Sequence, residues 1–325
     1  MVGKVTLKEL SAKAGVSIAT VSRAINNPDS VKRGTLEKIH NAMDEMNKKS
    51  NIIAFVVPDL ANMFFPMLLK GIEAIARMQG ISVIVCNSEG NPNNEDKILS
   101  NLIELGVDGI IFICSGSSSP LLKDIVSTKR IPIVFLDRKP GLKNTVSVTS
   151  DNYEGMYQAA SYLTSLGHRR ILYLGGPGGV STEEERYKGF CAAIEDKGIL
   201  MSEISRYEGN YQSTGVYEFV KETLAANPKR FTAICASNDL MAHGAYQAII
   251  EGHYSVPSDY SIIGYDDIPS SALLQLTTIK QPFEEMGRTA VMLLLSMIKD
   301  PDVVVNSRVL STGITIRKSC QYLKS

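Results

Sequence analysis

Short unbroken apolar runs alternate with longer stretches in which apolar residues recur every three or four positions, and this rhythm holds from residue 51 almost to the end of the chain. Ile52–Val57, Ile81–Cys86, Gly109–Cys114 and Ile133–Leu136 are of the first kind, dense in Val and Ile, and predict strands. Between them Phe65–Gln79, Asn94–Leu105 and Pro120–Thr128 have helical spacing. After Asp151 the rhythm repeats: helices over 153–166, 183–197, 213–225 and 239–252 alternate with strands over 171–174, 204–208, 232–236 and 261–264. A last helix is expected over Phe283–Lys299 and an extended run over Val309–Ile316. Apolar runs without polar alternation are strands covered on both faces. The pattern therefore predicts an α/β fold with two doubly wound parallel-sheet halves.

The first fifty residues follow another pattern. Thr6 with Glu9 three residues on is a capping box for a short helix, Leu7 to Ala14, with Leu7, Leu10 and Ala14 on one face. Gly15 ends it, and Ser17 caps a second helix through Ile25, with Val21, Ala24 and Ile25 inward. Asn26-Asn27-Pro28-Asp29 breaks the chain. A third helix runs from about Lys32 to Met46, its inner face Leu36, Ile39, Met43 and Met46. Two short helices joined by a tight turn and braced by a third form a helix-turn-helix.

Charge adds a direction. The whole chain is neutral, with 34 Lys+Arg and 34 Asp+Glu, but the first fifty residues hold nine basic side chains against five acidic ones. A basic head on an acidic body points to a polyanion as the head's partner. The five cysteines, Cys86, Cys114, Cys191, Cys235 and Cys320, are scattered through mostly apolar runs without metal-ligand spacing, which suits free thiols in a reducing compartment. No apolar run reaches membrane-span length, and the residues around Lys4, Lys8 and Glu9 do not form a leader's apolar segment, so a cytoplasmic chain with no membrane partner is expected. Gly175-Gly176-Pro177-Gly178-Gly179 follows a strand, yet Ser181 stands where a dinucleotide fingerprint needs its third glycine; a flexible rim loop is expected instead. Glu183-Glu184-Glu185 suits a helix start, and His168 a turn. With no phosphate loop, metal cluster or nucleophile–base motif, neither cofactor, metal nor enzymatic activity is expected.

The run from Thr6 to Asn26, with Ala14-Gly15-Val16-Ser17 followed by Thr20-Val21-Ser22-Arg23, resembles the headpiece of the lac repressor family of bacterial transcription regulators. The resemblance implies that the second helix enters the major groove of double-stranded operator DNA. Ile18, Ala19 and Arg23 would then meet base edges, Arg23 forking onto guanine and the other two offering apolar contact. Ser17, Thr20, Ser22, Asn26 and Thr6 suit phosphates, Ser17 also as the helix cap. One piece departs from the family. Its third helix is normally followed by a Tyr-x-Pro-Asn stretch and a hinge helix; here Asn47-Lys48-Lys49-Ser50-Asn51 runs straight into Ile52. Five polar residues are too few for a helix with its caps.

In parallel sheets small molecules bind beyond the carboxyl ends of the strands. Those ends place Asn62, Phe64, Phe65, Asp137, Arg138, Arg186, Tyr211, Asn238, Asp266 and Gln281 at one cleft. Two carboxylates balance two guanidiniums, amides add donors and acceptors, and aromatic faces suit C–H surfaces, which is the chemistry of a neutral sugar. Asn238-Asp239 also suits a helix cap, Asp137-Arg138 an internal ion pair, and Phe64 and Phe65 a core. The rhythm resembles the type I periplasmic-binding-protein fold, and the set is similar to the pattern of ribose-binding proteins, except that Tyr211 stands where phenylalanine is usual. The effector so implied is a small-molecule sugar, ribose or a close pentose first, another neutral sugar next, a purine corepressor last. The resemblance further implies crossovers near Ser150–Asn152, Thr278–Gln281 and Ser311–Gly313. The head would span residues 1–46, a shortened linker 47–51, one core subdomain 52–150 with 282–311, and the other 151–281 with 312–325. It also implies a homodimer built on helices Phe65–Gln79 and Phe283–Lys299, where Met67, Leu68, Ile72, Met292 and Met297 are interface or core, and a sugar that acts as inducer.

Overall fold

The computed structural model describes residues 6–46, 50–116 and 118–323; residues 47–49 of the expected linker, Lys4 and the last two residues of the second subdomain lie outside them, as do the side chains of Met43 and Met46. The head is three helices, α1 (Leu7–Ala14), α2 (Ile18–Asn26) and α3 (Arg33–Met46). Thr6 and Glu9 form the reciprocal capping box, with the Glu9 amide donating to Thr6 Oγ1 at 3.2 Å and the Thr6 amide to Glu9 Oε2 at 3.0 Å. Leu10, Val21, Ala24, Ile39 and Ala42 close a small core. Ile25, expected inside, is 51% exposed. A nine-residue helix offers one narrow buried stripe, here Val21 and Ala24, and Ile25 lies a further 100° round the helix.

From α3 the chain reaches β1 (Ile52–Val57) in five residues. The first core sheet holds β1, β2 (Ser82–Asn87), β3 (Gly109–Phe112), β4 (Ile133–Leu136), β5 (Val146–Ser150) and β11 (Arg308–Leu310), all parallel, in the order β11-β5-β4-β3-β1-β2. The second holds β6 (Ile171–Gly175), β7 (Ser205–Glu208), β8 (Ala233–Ala236), β9 (Ser261–Asp266), β10 (Thr277–Lys280) and β12 (Gly313–Thr315), in the order β12-β10-β9-β8-β6-β7. Only β12 runs antiparallel to its neighbour. The buried strands carry Val, Ile and Phe on both faces, as continuous apolar runs require.

Three segments differ from the expectation. β5 and β10 are rich in Ser and Thr and lack an apolar run, yet both are almost wholly buried within their sheets. The extended run Val309–Ile316 divides, because the chain changes sheets between β11 and β12. The crossover expected near Thr278–Gln281 lies at Gln281–Pro282, after β10 ends at Lys280 and before α12 begins at Phe283.

Helices α4 (Phe64–Met78), α5 (Pro92–Leu105), α6 (Pro120–Thr128) and α12 (Phe283–Lys299) belong to the first lobe. The second carries α7 (Asn152–Ser165), α8 (Ser181–Asp196), α9 (Ser213–Ala226), α10 (Asp239–Glu251) and the short α11 (Pro269–Leu273). Leu68 and Ile72 are wholly buried in the first lobe's own core, so they are unavailable as subunit contacts, whereas Met292 is 58% exposed. Helices α4 and α12 cross with backbone against backbone: a Cβ at Gly71 would stand 2.3 Å from the Glu284 carbonyl oxygen, and one at Gly287 2.3 Å from that of Leu68. Gly287→Ala is accordingly expected to lower stability by about 1–3 kcal/mol through forced separation of the helices, measurable in urea unfolding as a lower midpoint at unchanged slope.

Candidate functional site

The cleft is built from the carboxyl ends of strands in both lobes. Asn62, Phe64, Phe65, Asp137 and Arg138 come from the first; Thr182, Arg186, Tyr211, Asn238 and Asp266 come from the second. The two walls stand close together, leaving a cavity of only about 20 Å³ between them. Nine of the ten residues proposed from sequence thus share one wall surface. The tenth, Gln281, stands behind it, its Nε2 donating to Asp266 Oδ1 at 2.7 Å while its Oε1 accepts from the Ser150 hydroxyl at 2.6 Å.

Several polar wall groups have a support. Arg186 donates from Nε to Asn152 Oδ1 at 2.8 Å and from Nη1 to the Ser237 carbonyl, and its guanidinium lies 3.8 Å from the centre of the Tyr265 ring. Its Nη2 is 3.8 Å from Asp266 Oδ1, an ion pair rather than a hydrogen bond. Arg138 Nη1 donates to the Cys114 carbonyl at 3.1 Å. Asn238 Oδ1 caps α10 by accepting from the Met241 amide, and its Nδ2 reaches the Tyr211 carbonyl at 3.3 Å. The cap and the wall position are therefore the same residue. Phe64 and Phe65 serve twice in the same way: both are in the first lobe's core and both edge the cleft.

Two polar atoms on the wall are not so supported. Asp137 Oδ1 and Arg138 Nε are buried and have no hydrogen-bond partner, their mutual approach of Oδ2 to Nε being 3.6 Å. Burial raises the Asp137 pKa, opposed by Arg138 and Arg186. Burial likewise holds Asp266 well above the usual carboxylate range, against the pull of Arg186. Burial thus disfavours both charges, and a donor that enters the cleft would in turn favour the ionised form of either carboxylate.

Tyr211 explains one glycine. A Cβ at Gly176 would fall 2.3 Å from the Tyr211 ring, so the glycine loop is the bed of that ring. Burial lifts the Tyr211 hydroxyl to about 12, and it pairs with Thr182 Oγ1 at 3.1 Å. Sequence reading missed Thr182, although it lies four residues before Arg186 on the same face of α8. It also placed Glu183 as a helix-start acid. In the structure Glu183 is buried and accepts from the Gly176 amide at 2.8 Å, the Tyr173 hydroxyl at 3.0 Å and Ser237 Oγ, fixing the glycine loop to β6 and β8. His168 is buried, with Nδ1 3.0 Å from Thr232 Oγ1 and Nε2 2.9 Å from Ser261 Oγ. At the rim the lobes touch: Lys139 Nζ meets Glu185 Oε1 at 2.6 Å, and the Lys139 amide donates to Ser181 Oγ at 2.8 Å.

In the head, Ser17, Ile18, Ala19, Arg23 and Asn26 are exposed along one side of α2, Thr20 and Ser22 are half-buried, and Thr6 is exposed at the start of α1. Ser17 Oγ accepts from the Thr20 amide at 3.2 Å and lies 2.8 Å from Thr20 Oγ1. Among the described residues there is no group of three or more His, Cys, Asp or Glu side chains fit to hold a metal ion, and no helix long and apolar enough to cross a membrane.

Residues 6–51 match the model of the lacI family of bacterial regulatory proteins, and residues 160–320 that of the periplasmic binding protein-like domain. The chain is 36% identical to the HTH-type transcriptional regulator DegA of Bacillus subtilis over 87% of this chain and 88% of that one. It is 32% identical to the HTH-type transcriptional repressor PurR of Mannheimia succiniciproducens over 98% and 99% respectively. Among solved structures, a LacI family transcriptional regulator of Enterococcus faecium with bound ribose superposes with a TM-score of 0.77 at 32% identity, covering 84% of this chain and all of that one. Head, core and near-full-length relatives agree: the chain belongs to the lacI family of bacterial regulatory proteins, DNA-binding transcription regulators whose ligand-binding core is periplasmic-binding-protein-like.

Proposed function

We propose that the protein is a cytoplasmic, dimeric repressor whose effector is a neutral sugar, ribose or a close pentose, held by Asn62, Phe64, Phe65, Asp137, Arg138, Arg186, Tyr211, Asn238 and Asp266, with Gln281 behind Asp266. The observation that carries this reading is the pair of unpartnered buried atoms, Asp137 Oδ1 and Arg138 Nε, in a cleft whose charges already balance. A ring bearing adjacent hydroxyls supplies a donor to one and an acceptor to the other without adding charge. The aromatic walls suit its C–H faces. The ribose-bound relative from Enterococcus faecium supports the same ligand class. A purine base is the competing ligand. Isothermal titration with pentoses, hexoses and hypoxanthine decides: a pentose should bind most tightly, and tighter binding of hypoxanthine reverses the assignment.

On the DNA side, α2 is the reading helix, with Arg23, Ile18 and Ala19 toward bases and Thr6, Ser17, Thr20, Ser22 and Asn26 toward phosphates. Arg23→Ala should weaken specific binding by about 1–3 kcal/mol and relax preference at one base pair, as measured by gel shift over a set of operator variants. A second reading has its own support in the five residues between Met46 and Ile52. A link that short leaves the cores with ligand binding and the heads with a weakened grip on paired half-sites. Gel shift on a palindromic operator, with and without ribose, separates the two: sugar-dependent release favours the repressor, and sugar binding with no specific shift favours the weakened head.

A further inference from the structure

The second lobe holds a buried carboxylate that no wall contact uses. Asp239, the first residue of α10, is fully buried and accepts from the Ile268 amide at 3.0 Å, the Ser271 hydroxyl at 2.6 Å and the Thr278 hydroxyl at 2.6 Å. Burial pushes its pKa to about 6 against the pull of these donors. Behind Ser271 stands His243, its Nε2 3.0 Å from the hydroxyl, and burial lowers that imidazole to about 4. Since the Ser271 proton points to the carboxylate, the serine oxygen accepts from the neutral imidazole's Nε2–H. Asp239 thereby ties the start of α10 to the Ile268–Ser271 segment and to β10.

The sequence neighbours show what this tie does. Asn238 and Asp266 line the cleft. Leu240 and Ile268, each two residues further on, pack into the apolar cluster of the other lobe that includes Phe64, Phe65 and Phe283. Both segments therefore carry a cleft residue on one side and an inter-lobe residue on the other, and the Asp239 carboxylate joins them. The joint is under strain: Asp266 has φ 121° and Asp267 φ 65°, conformations that a non-glycine residue keeps only where the surroundings enforce them. Gln281 restrains Asp266 at 2.7 Å, Arg317 restrains Asp267 at 2.7 Å, and Asp239 restrains the next amide.

We propose that Asp239 is a positioning residue, a staple that makes the Asp266–Ile268 turn and the start of α10 one rigid body, so that grasp of the effector by Asp266 and Asn238 moves Leu240 and Ile268 against the first lobe. The proposal rests on the sugar reading of the cleft. It gives the ligand a mechanical route to the relative position of the lobes, because one ordered turn bears both contacts.

The test uses the full chain with Asp239→Asn, which keeps shape and volume but replaces one acceptor oxygen with a donor. Titration with ribose should show affinity weaker by at least about tenfold. Hydrogen exchange at the Ile268 amide should quicken. Val220→Ala, in the second lobe's core on α9, serves as the control: it lowers the melting temperature but should leave both readouts unchanged. Should Asp239→Asn not fold, Ser271→Ala and Thr278→Val each remove one donor and should each weaken ribose binding by about threefold or more. Wild-type affinity in Asp239→Asn, or unaltered exchange at Ile268, overturns the staple while leaving the sugar reading in place. Failure of the unmutated protein to bind any sugar in the panel overturns the effector reading and the proposal with it.

Discussion

Arg186→Met is expected to cost about 3–5 kcal/mol of folding stability and to abolish effector binding together. The methionine fills much of the same space, so the loss is electrostatic. Arg186 is buried, with its guanidinium bonded to Asn152 and Ser237 and paired with Asp266. Removing it leaves Asp266 and Asp137 as buried carboxylates with one fewer cation, and removing a single partner from a buried pair is strongly destabilising. The Asn152 oxygen and the Ser237 carbonyl lose their donor as well, each a further desolvation cost. Urea unfolding should show the drop, and binding should stay absent under conditions where the variant is still folded. A loss below about 1 kcal/mol would mean that the cleft relaxes to admit water, and that the charge balance is not part of the fold.

Asp266→Ala should weaken sugar binding by about 3 kcal/mol or more, roughly a hundredfold, while DNA binding in the absence of sugar stays as it was. The carboxylate is the acceptor that the Arg186 and Gln281 donors hold in place, and hydrogen bonds to a charged group contribute about 1.5–3 kcal/mol each. The same residue gives a pH signature. Burial raises both Asp137 and Asp266 above the ordinary carboxylate values. Their ionised forms accept from sugar hydroxyls more strongly than their protonated forms, so affinity should fall on acidification at a pH higher than free carboxylates would give. In Asp266→Ala the acid limb should shift, because Asp137 and the supporting Asp239 then titrate without it. A flat affinity profile between pH 4 and pH 8 would remove both carboxylates from the ligand's contacts.

Much of this protein was legible along the chain, because the signals concerned are local. The capping box at Thr6 and Glu9, the Ser17 cap and the three-residue spacing of Val21 and Ala24 specify the head within twenty residues. In a parallel sheet the ends of apolar runs also mark one side of each lobe, so Asp137, Asn238 and Asp266 could be placed at a cleft before any packing was known. Tertiary structure decided what depends on partners far apart in sequence. β5 and β10 are strands because sheet neighbours supply their ladder and cover, although their own residues are mostly Ser and Thr. Ile25 lies outside and Leu68 inside because burial is set by what a face meets; spacing only says which residues share that face. Thr182, Glu183 and Asp239 carry no motif. Their parts follow from Tyr211, Gly176 and Ile268, which stand 29, 7 and 29 residues away. A hydrogen bond to a distant amide leaves no periodicity in the sequence, so these supports emerge only once the chain has folded.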